Sequence, residues 1–362
     1  MAAAIQRPHD PAACNAEGLD HFAAGDPHTA EVLLKAAYSG LPREPGILVN
    51  LGLALMQQGR VGEAERAYRL ALQSNELRVR RSAAKNLGFL LLWCGHYADG
   101  WFWHRRRFEG EPFLQSQWQG EPLNGRTLTI WNDVGMGDAF QFVRYTLPLV
   151  QRGERIRWAV AESQIALFQQ HLAWPLHEVV DRRLVDHLQD APQIPLMSLI
   201  PLLDADLRWG RSFAAPTWRR PTADHADRIG LCWASNPQDR TMHAYKSCPP
   251  ERLLSLQRRQ HPDAPILSLQ TDEAQAHQAL GLQPAAPDWI ATLKRISRCR
   301  QVISVDTAVA HLAAGSGVAT TLLLADHPDW RWRPHPSVSS LWYPQIRAEP
   351  LVAPSAIRQQ HA

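Results

Sequence analysis

The amino-acid sequence predicts an α + α/β protein, in which N-terminal helical repeats precede a pair of Rossmann-like α/β domains. Three observations carry this prediction. A pattern of Gly and Ala recurs at an offset of 34 residues, short apolar strand candidates later alternate with helical segments, and a Pro-rich polar stretch at 213–227 divides that alternation into two halves. The predicted limits are 14–110 for the repeats, 111–215 for the first half and 225–348 for the second.

Composition and charge exclude several classes of protein. The chain has 362 residues, of which 45% are hydrophobic and 20% charged, so each predicted domain has enough apolar residues for a core. The net charge is only +3, whereas a nucleic-acid-binding protein usually carries a larger, clustered excess of Lys and Arg. The five Cys are scattered without zinc spacing, and no apolar stretch approaches about 20 residues. We therefore expect a cytoplasmic protein with reduced thiols, no secretory signal, no membrane span and no nucleic-acid partner.

The N-terminal repeat aligns residues that must meet where two antiparallel helices touch. Gly18 aligns with Gly52, and Leu34 aligns with Tyr68. A second Gly in each copy is expected to end the first helix of its pair in a left-handed conformation. This is the tetratricopeptide pattern, and a diverged third copy contains Gly88. Three such repeats bury a continuous core and present a concave face, which either docks a peptide or protein or only packs against the next domain.

Beyond residue 110 the pattern changes to alternating strands and helices. Strands are predicted at Thr127–Trp131 and Arg155–Val160, with a helix over 138–151 between them, which makes a parallel βαβ unit. Residues 177–181 are expected to form a further strand and 191–200 a connector. In the second half, strands are predicted in RIGLCWAS, PILSLQ, QVISVD and TTLLLA, with helices between them. Ligands bind outside the carboxyl ends of the strands in such open sheets, so we expect a site in the cleft between the halves.

The first candidate motif, VGMGD, follows the first predicted strand. Gly135 and Gly137 permit a tight turn, and a helix is predicted to begin at Asp138. Backbone N–H groups at such a turn can hold an anion. Asp138 either caps the helix or acts as a general base at the cleft. The dinucleotide-binding spacing GxGxxG is absent.

The second candidate motif, SVDTAVAH, also joins a strand to a helix. Asp306 and Thr307 stand at the predicted helix start, where free N–H groups favour a phosphate. His311 follows Thr307 by four residues and therefore shares its helical face. A histidine on an apolar helix is either a satisfied core residue or, this close to a helix start, part of a phosphate site.

Two further loops supply basic side chains. Ser235 and Asn236 follow the first strand of the second half, with Arg240 and Lys246 close behind, a set that suits a diphosphate. An ordinary polar loop is the alternative. The segment DWRWR at 329–333 alternates Trp with Arg and either lines the rim of the cleft or returns across the first half.

Taken in order, the repeats and the segments VGMGDAFQFVRY, IGLCWASNPQDR and VDTAVAHLA resemble the bacterial tetratricopeptide-containing glycosyltransferases. The catalytic part of those proteins is similar to the ADP-heptose–lipopolysaccharide heptosyltransferases. The resemblance runs from about residue 15 to residue 348. It implies a GT-B architecture of two Rossmann-like halves, a nucleotide-sugar donor held by the C-terminal half, and inverting transfer that needs neither a metal nor another cofactor.

The resemblance also implies roles for particular residues. Asp138 matches the GD that supplies the base in such enzymes, and Asp306, Thr307 and His311 match the helix start that binds the donor diphosphate. A basic residue beyond the W-x-G/S-N-P loop faces the phosphates, and here it is Lys246 or Arg240. Ser235 stands where Gly is usual, and Ala-Tyr-Lys-Ser replaces Asn-Arg-Ser, so the choice between the two basic residues stays open.

The resemblance predicts a glycosyltransferase whose acceptor is a protein or a surface glycan, with the repeats contacting that acceptor. Two other hypotheses stay open. The chain is alternatively a catalytically degenerate scaffold that uses its repeats to bind a protein partner. A third hypothesis is an unrelated nucleotide-binding enzyme, such as an epimerase, which also uses two such halves.

Overall fold

The computed structural model describes residues 10–115, 117–187, 192–333 and 342–352. The chain forms two compact units. Of the described residues, the helical unit comprises those up to Gly110 together with Asn236–Tyr245, and the α/β unit comprises those in Glu111–Ser235 and those from Lys246 onward. The predicted fold class, helical repeats followed by parallel-sheet α/β domains, is confirmed.

Six α-helices of the helical unit pack as consecutive pairs, as the repeat predicts. Gly25, Gly59 and Gly95 follow the first helix of each pair with φ of 82°, 71° and 82°, which is the left-handed cap expected from the sequence. Because these turns are short, the two helices that each turn joins lie side by side and antiparallel. The helices are α1 (Pro11–Ala23), α2 (Pro27–Gly40), α3 (Gly46–Gln57), α4 (Val61–Ala71), α5 (Leu77–Trp93) and α6 (Tyr97–Arg105).

The glycines of the repeat stand where the two helices of a pair come closest. A Cβ atom on Gly52 would lie 2.3 Å from the ring of Tyr68, and one on Gly18 would lie 2.9 Å from Leu34. In the third copy, a Cβ on Gly88 would lie 2.5 Å from the backbone of the facing helix. The repeat predicts that the helices of a pair come close at these glycine positions, which the structure confirms. An apolar core runs from α1 to α5.

A segment that sequence reasoning assigned to the second α/β half, Asn236–Tyr245, belongs to the helical unit. A Cβ on Gly25 would lie 3.6 Å from the Cβ of Ala244. The segment contains most of α12 (Arg240–Lys246). The side chains of Asn236 and Arg240 are exposed.

The first half of the α/β unit is a four-stranded parallel sheet in the order β3-β2-β1-β4. Its strands are β1 (Thr127–Trp131), β2 (Arg155–Val160), β3 (Glu178–Asp181) and β4 (Gln193–Pro195). The first three are the predicted strands. The predicted connector at 191–200 instead contributes β4 and a helix. The helices of this first half are α7 (Met136–Phe142), α8 (Leu147–Gln151), α9 (Glu162–His171), α10 (Leu196–Asp204) and α11 (Arg208–Ser212).

The helix predicted over 138–151 is interrupted. A 3-10 turn at Val143–Thr146 separates α7 from α8. Pro148 stands at the start of α8, where its missing N–H removes the bond that a continuous helix would make to the carbonyl of Arg144. The break leaves α7 as a short helix whose first turn carries Asp138.

The second half is a five-stranded parallel sheet in the order β6-β5-β7-β8-β9, and its first four strands in the sequence are those predicted. The last strand was not predicted because its polar side chains at Arg347 and Glu349 mark an exposed edge. The strands are β5 (Arg228–Cys232), β6 (Ile266–Ser268), β7 (Cys299–Val305), β8 (Ala319–Leu324) and β9 (Ile346–Pro350). The helices beside them are α13 (Pro250–Gln260), α14 (Ala274–Leu280), α15 (Trp289–Ser297) and α16 (Ala308–Gly315).

Aromatic side chains join the two halves of the α/β unit. The ring of Phe140 on α7 packs edge-on against Trp289 of α15, at 4.9 Å between centroids, and against Trp218 of the linker at 5.4 Å. The linker is anchored as well, because the backbone N–H of Trp218 donates to the carbonyl of Gly315 at 3.1 Å. Trp218 is 1% exposed, so this contact is part of the core.

Candidate active site

The starts of α7 and α16 meet at a junction between the two halves of the α/β unit, which is called the cleft below. Each helix follows a strand end, β1 for α7 and β7 for α16. A Cβ on Gly137 would lie 2.9 Å from Cδ2 of His311 and 3.5 Å from Cα of Ala308, so only glycine fits this contact without a shift. The structure therefore brings the VGMGD and SVDTAVAH motifs together.

Asp138 is in the first turn of α7 and nearly buried, with 17% of its side chain exposed. Its Oδ2 accepts a hydrogen bond of 3.0 Å from the backbone N–H of Gly135, so it does cap the helix. Its other oxygen, Oδ1, forms an ion pair with the guanidinium of Arg331. Burial raises the pKa of Asp138, and the charge of Arg331 opposes that rise.

Arg331 is in contact with Asp138, and sequence reasoning named its segment as a motif without assigning this contact. It is in a 3-10 turn, Trp330–Trp332, and only 8% of its side chain is exposed. A second ion pair, of 2.5 Å, joins it to Asp329. These two carboxylates outweigh the effect of burial and raise the pKa of Arg331. The alternation of Trp and Arg at 330–333 was the available signal, but it did not reveal which arginine turns inward.

His311 is buried on α16 and faces aromatic groups. Its ring stacks on Trp332 with centroids 5.1 Å apart, and its Nδ1 is 3.1 Å from the hydroxyl of Tyr343. Burial lowers the pKa of His311 to about 3, although the nearby Asp306 carboxylate acts in the opposite direction. His311 is therefore a neutral, packed side chain, which matches the core alternative considered for it.

Lys246 and Asp306 form a further ion pair of the cleft. The Nζ of Lys246 donates to Oδ2 of Asp306 at 2.6 Å, and their side chains are 22% and 11% exposed. Burial raises the pKa of Asp306, but Lys246 and the surrounding charges outweigh it and the pKa falls to about 2. Burial lowers the pKa of Lys246, and Asp306 reverses that effect so that the net direction is upward. Both groups are charged near neutral pH.

Thr307 and Ser235 lie at neighbouring strand ends, where β5 and β7 pair and the order in which strands are added to the parallel sheet reverses. The Thr307 hydroxyl is 3.7 Å from Sγ of Cys232 and 3.2 Å from Oγ of Ser304, and it makes no capping bond to α16. The backbone N–H of Ser235 donates to Oγ of Ser247 at 3.0 Å. This is the switch point at which open α/β sheets bind ligands.

The site residues predicted from the sequence therefore fall into two groups. Gly137 of the first half contacts His311 of the α16 group, and Gly135 and Asp138 stand on either side of Gly137 in the same turn of the chain. The α16 group is defined as Asp306, Thr307 and His311 with Lys246, and Ser235 is at the neighbouring strand end. Asn236 and Arg240 belong to the helical unit, and their roles stay predictions.

The arrangement can carry out acid–base chemistry on a bound anion. It offers one carboxylate at the start of α7, two cations, and the N-terminus of α16, whose dipole favours negative charge. Among the described residues, no group of three or more His, Cys, Asp or Glu side chains is arranged to hold a metal ion. Within that same part of the chain, no helix is long and apolar enough to span a bilayer.

Comparison with known proteins identifies the repeats. The family model for the tetratricopeptide repeat matches residues 21–87. None of the curated proteins compared with the chain matches it significantly. The helical pairs described above therefore include tetratricopeptide repeats, as the sequence pattern predicts.

Several solved structures are similar to the chain at low identity. A glycosyl transferase family 9 protein from Veillonella parvula is 10% identical, with a TM-score of 0.46 over 67% of this chain and 90% of that one. The Escherichia coli heptosyltransferase WaaC with ADP is 12% identical, with a TM-score of 0.43 over 65% of this chain and 98% of that one. The Thermobaculum terrenum O-GlcNAc transferase is 12% identical, with a TM-score of 0.28 over 88% of this chain and 83% of that one.

Proposed function

We propose that the protein is a GT-B glycosyltransferase that moves a sugar from a nucleotide-sugar donor to a hydroxyl acceptor. One observation carries the proposal. The carboxylate of Asp138 and the N-terminus of α16 share one edge of the cleft, because Gly137 allows the two helix starts to touch. A general base and an anion site are thereby within reach of one bound donor. The sequence resemblance described above supports the same reaction class.

The donor diphosphate is proposed to bind at the start of α16. The Thr307 hydroxyl is turned toward Cys232 and Ser304, so it leaves the first N–H groups of the helix to a ligand. Lys246 is beside them, held by Asp306 at 2.6 Å. Oriented N–H groups and a fixed ammonium stabilise the negative charge of a departing nucleoside diphosphate, which is the task a divalent metal performs elsewhere.

Asp138 is proposed to remove the proton of the acceptor hydroxyl as its oxygen attacks the anomeric carbon. The new C–O bond forms on the face opposite the departing diphosphate, so the configuration of the sugar is inverted. The carboxylate takes up the proton, and the nucleoside diphosphate leaves with the electron pair of the broken bond. The tetratricopeptide repeats are proposed to bind the acceptor or a partner protein.

One observation favours the rival hypothesis of a non-catalytic scaffold. Asp138 already has a partner in Arg331, and Lys246 already has one in Asp306, so the charges of the cleft are satisfied without a ligand. A scaffold would retain these pairs for packing. An enzyme must exchange at least one of them for donor or acceptor.

Ligand binding separates these hypotheses. The first experiment is a thermal-shift screen of the full chain with UDP, GDP, ADP, CDP and dTDP, each with and without EDTA. A metal-free transferase is stabilised by at least one diphosphate whether or not the chelator is present, by an amount that grows with ligand concentration. The absence of any shift would favour the scaffold. Release of an isomerised nucleotide sugar, without transfer, would favour an epimerase.

The role of Asp138 is tested by Asp138→Asn, with Asp224→Asn in the exposed linker as the matched control. Loss of a general base is expected to slow transfer by about 10²- to 10⁴-fold. The thermal shift caused by the diphosphate should remain close to that of the unmodified protein, because the donor contacts are on α16. An equal loss of transfer and of diphosphate binding would refute the general-base role.

A further inference from the structure

Arg331 links the two halves of the α/β unit at the proposed base. It belongs to the second half, whereas its ion-pair partner Asp138 is on α7 of the first half. Its remaining contacts fix it in place. The guanidinium is 5.4 Å from the ring centre of Phe142 and 4.9 Å from that of Trp330, and its Nη1 pairs with Asp329.

The backbone of this turn is anchored too. Nε1 of Trp342 donates to the carbonyl of Arg331 at 2.7 Å, and the fully buried Arg144 of the first half donates to the carbonyl of Trp342 at 3.0 Å. Phe142 and Trp330 are parallel, 6° between planes, with centroids 6.1 Å apart. The position of Arg331 is therefore fixed by the surrounding structure, since contacts restrain both its side chain and its backbone.

The charged and titratable groups around Asp138 come from several elements. Arg331 and Asp329 approach from the 3-10 turn, and Lys246 from the end of α12. His311 on α16 is neutral and in contact with Gly137, the neighbour of Asp138 in the chain. The hydroxyl of Tyr343 adds a further polar group, whose pKa is raised by burial to about 12, so it carries no charge near neutral pH. Among these groups Arg331 is the one in direct contact with the carboxylate.

We propose that Arg331 is the positioning residue of the base: the second half of the α/β unit supplies the cation that orients the Asp138 carboxylate and favours its ionised form. This inference rests on the proposed function for its catalytic consequence. The physical reason is that a carboxyl group this buried favours its protonated form unless a cation is beside it. A protonated Asp138 could not accept the proton of an acceptor.

The first test measures the Asp138 carboxyl directly and needs no ligand. Infrared difference spectra between the full chain and its Asp138→Asn variant isolate this carboxylate, and they are recorded across a pH series. The same difference is taken in an Arg331→Met background and in an Arg331→Lys background. Arg347→Met, at an exposed arginine that pairs only with Glu349 among the described residues, is the matched control.

We expect Arg331→Met to move the midpoint of the Asp138 titration upward by about 1 to 3 pH units, the range over which a neighbouring Arg acts on Asp. Arg331→Lys should give a smaller shift, because it keeps the charge and loses the planar fork. Arg347→Met should give none. An unchanged midpoint in Arg331→Met would overturn the inference. Should Arg331→Met fail to fold, Arg331→Gln, which also removes the charge but keeps a polar side chain, is measured in its place, and an unchanged midpoint there would equally overturn the inference.

The second test concerns catalysis. Hydrolysis of the nucleotide sugar whose diphosphate stabilises the protein is followed as kcat/KM against pH, with water as acceptor. Arg331→Met should move the acidic limb to higher pH and recover activity above it, whereas a purely structural clamp would lower activity at every pH and leave the limb in place. If the unmodified protein neither hydrolyses the nucleotide sugar nor transfers its sugar, the proposed function fails. The infrared titration would still decide the role of Arg331.

Discussion

Replacing Gly137 with alanine perturbs the contact on which the proposed site depends. The added Cβ would lie 2.9 Å from Cδ2 of His311, whereas ordinary contact begins near 3.4 Å, so the two helix starts must separate by about 0.5 Å. His311 cannot move aside easily, because it is 3% exposed and stacks on Trp332. Overpacking of this kind costs about 1–3 kcal/mol, and the helical preference of Ala over Gly returns at most about 1 kcal/mol.

We therefore expect Gly137→Ala to lower the free energy of unfolding of the α/β unit by about 1–2 kcal/mol. For a unit of this size, that corresponds to a fall in Tm of about 2–8 °C. Tryptophan fluorescence is a suitable probe, because 11 of the 14 Trp lie outside the helical unit. The rate of sugar transfer should fall by more than the loss of folded protein accounts for, since separation of the helices also draws Asp138 away from Arg331.

The matched control is Gly62→Ala, at the second residue of α4, which is the same helical position that Gly137 has in α7. A Cβ there would approach nothing closer than 3.8 Å, at the flexible end of Arg66. This variant should be as stable as the unmodified protein or slightly more so. A Gly137→Ala protein with unchanged Tm and unchanged transfer would refute the reasoning, because the two helix starts would then not be in contact.

Two further predictions concern packing and pH. Gly52→Ala would bring a Cβ within 2.3 Å of the buried ring of Tyr68, so we expect the helical unit to lose about 1–3 kcal/mol of stability in urea titrations followed by circular dichroism, whereas Gly62→Ala loses none. Burial lowers the pKa of His311 from 6.5 to about 3, so the unfolded chain takes up this proton first as the pH falls. The free energy of unfolding is therefore unaffected by His311 above pH 6.5. Between pH 6.5 and 3 it falls by about 1.4 kcal/mol per pH unit, because only the unfolded chain binds the proton. Urea midpoints at pH 7 and pH 5 should therefore differ less in His311→Gln than in the unmodified protein, and equal differences would contradict the neutral, buried state of His311.

Local pattern predicted much of the fold because each element carries its own signal. The offset between Gly18 and Gly52 required helix pairs with close contacts, and the structure has them. The βαβ alternation predicted two parallel sheets. Two elements that were predicted wrongly or not at all also have local causes. Pro148 interrupts a helix although the apolar pattern of the sequence continues past this proline. The edge strand Ile346–Pro350 is polar and lacks the apolar pattern of a buried strand.

The candidate site was predicted in part. Motifs at strand ends located Asp138 and the α16 group, since the carboxyl ends of parallel strands meet at one edge of a sheet. The partners of these residues were not predicted. Nothing in the spacing of DWRWR indicated that Arg331 turns toward Asp138, or that Asp306 is the partner of Lys246.

The sequence by itself determined the repeats, the two parallel sheets and the positions of the polar loops, because hydrophobic periodicity and glycine placement act over a few residues. Only the tertiary structure decided which charges neutralise each other and which groups are buried. Those properties arise when distant segments pack together and remove water from around them, which strengthens every remaining electrostatic contact. The ion pair between Asp138 and Arg331 exists only in that closed arrangement, and it joins residues from the two halves of the α/β unit.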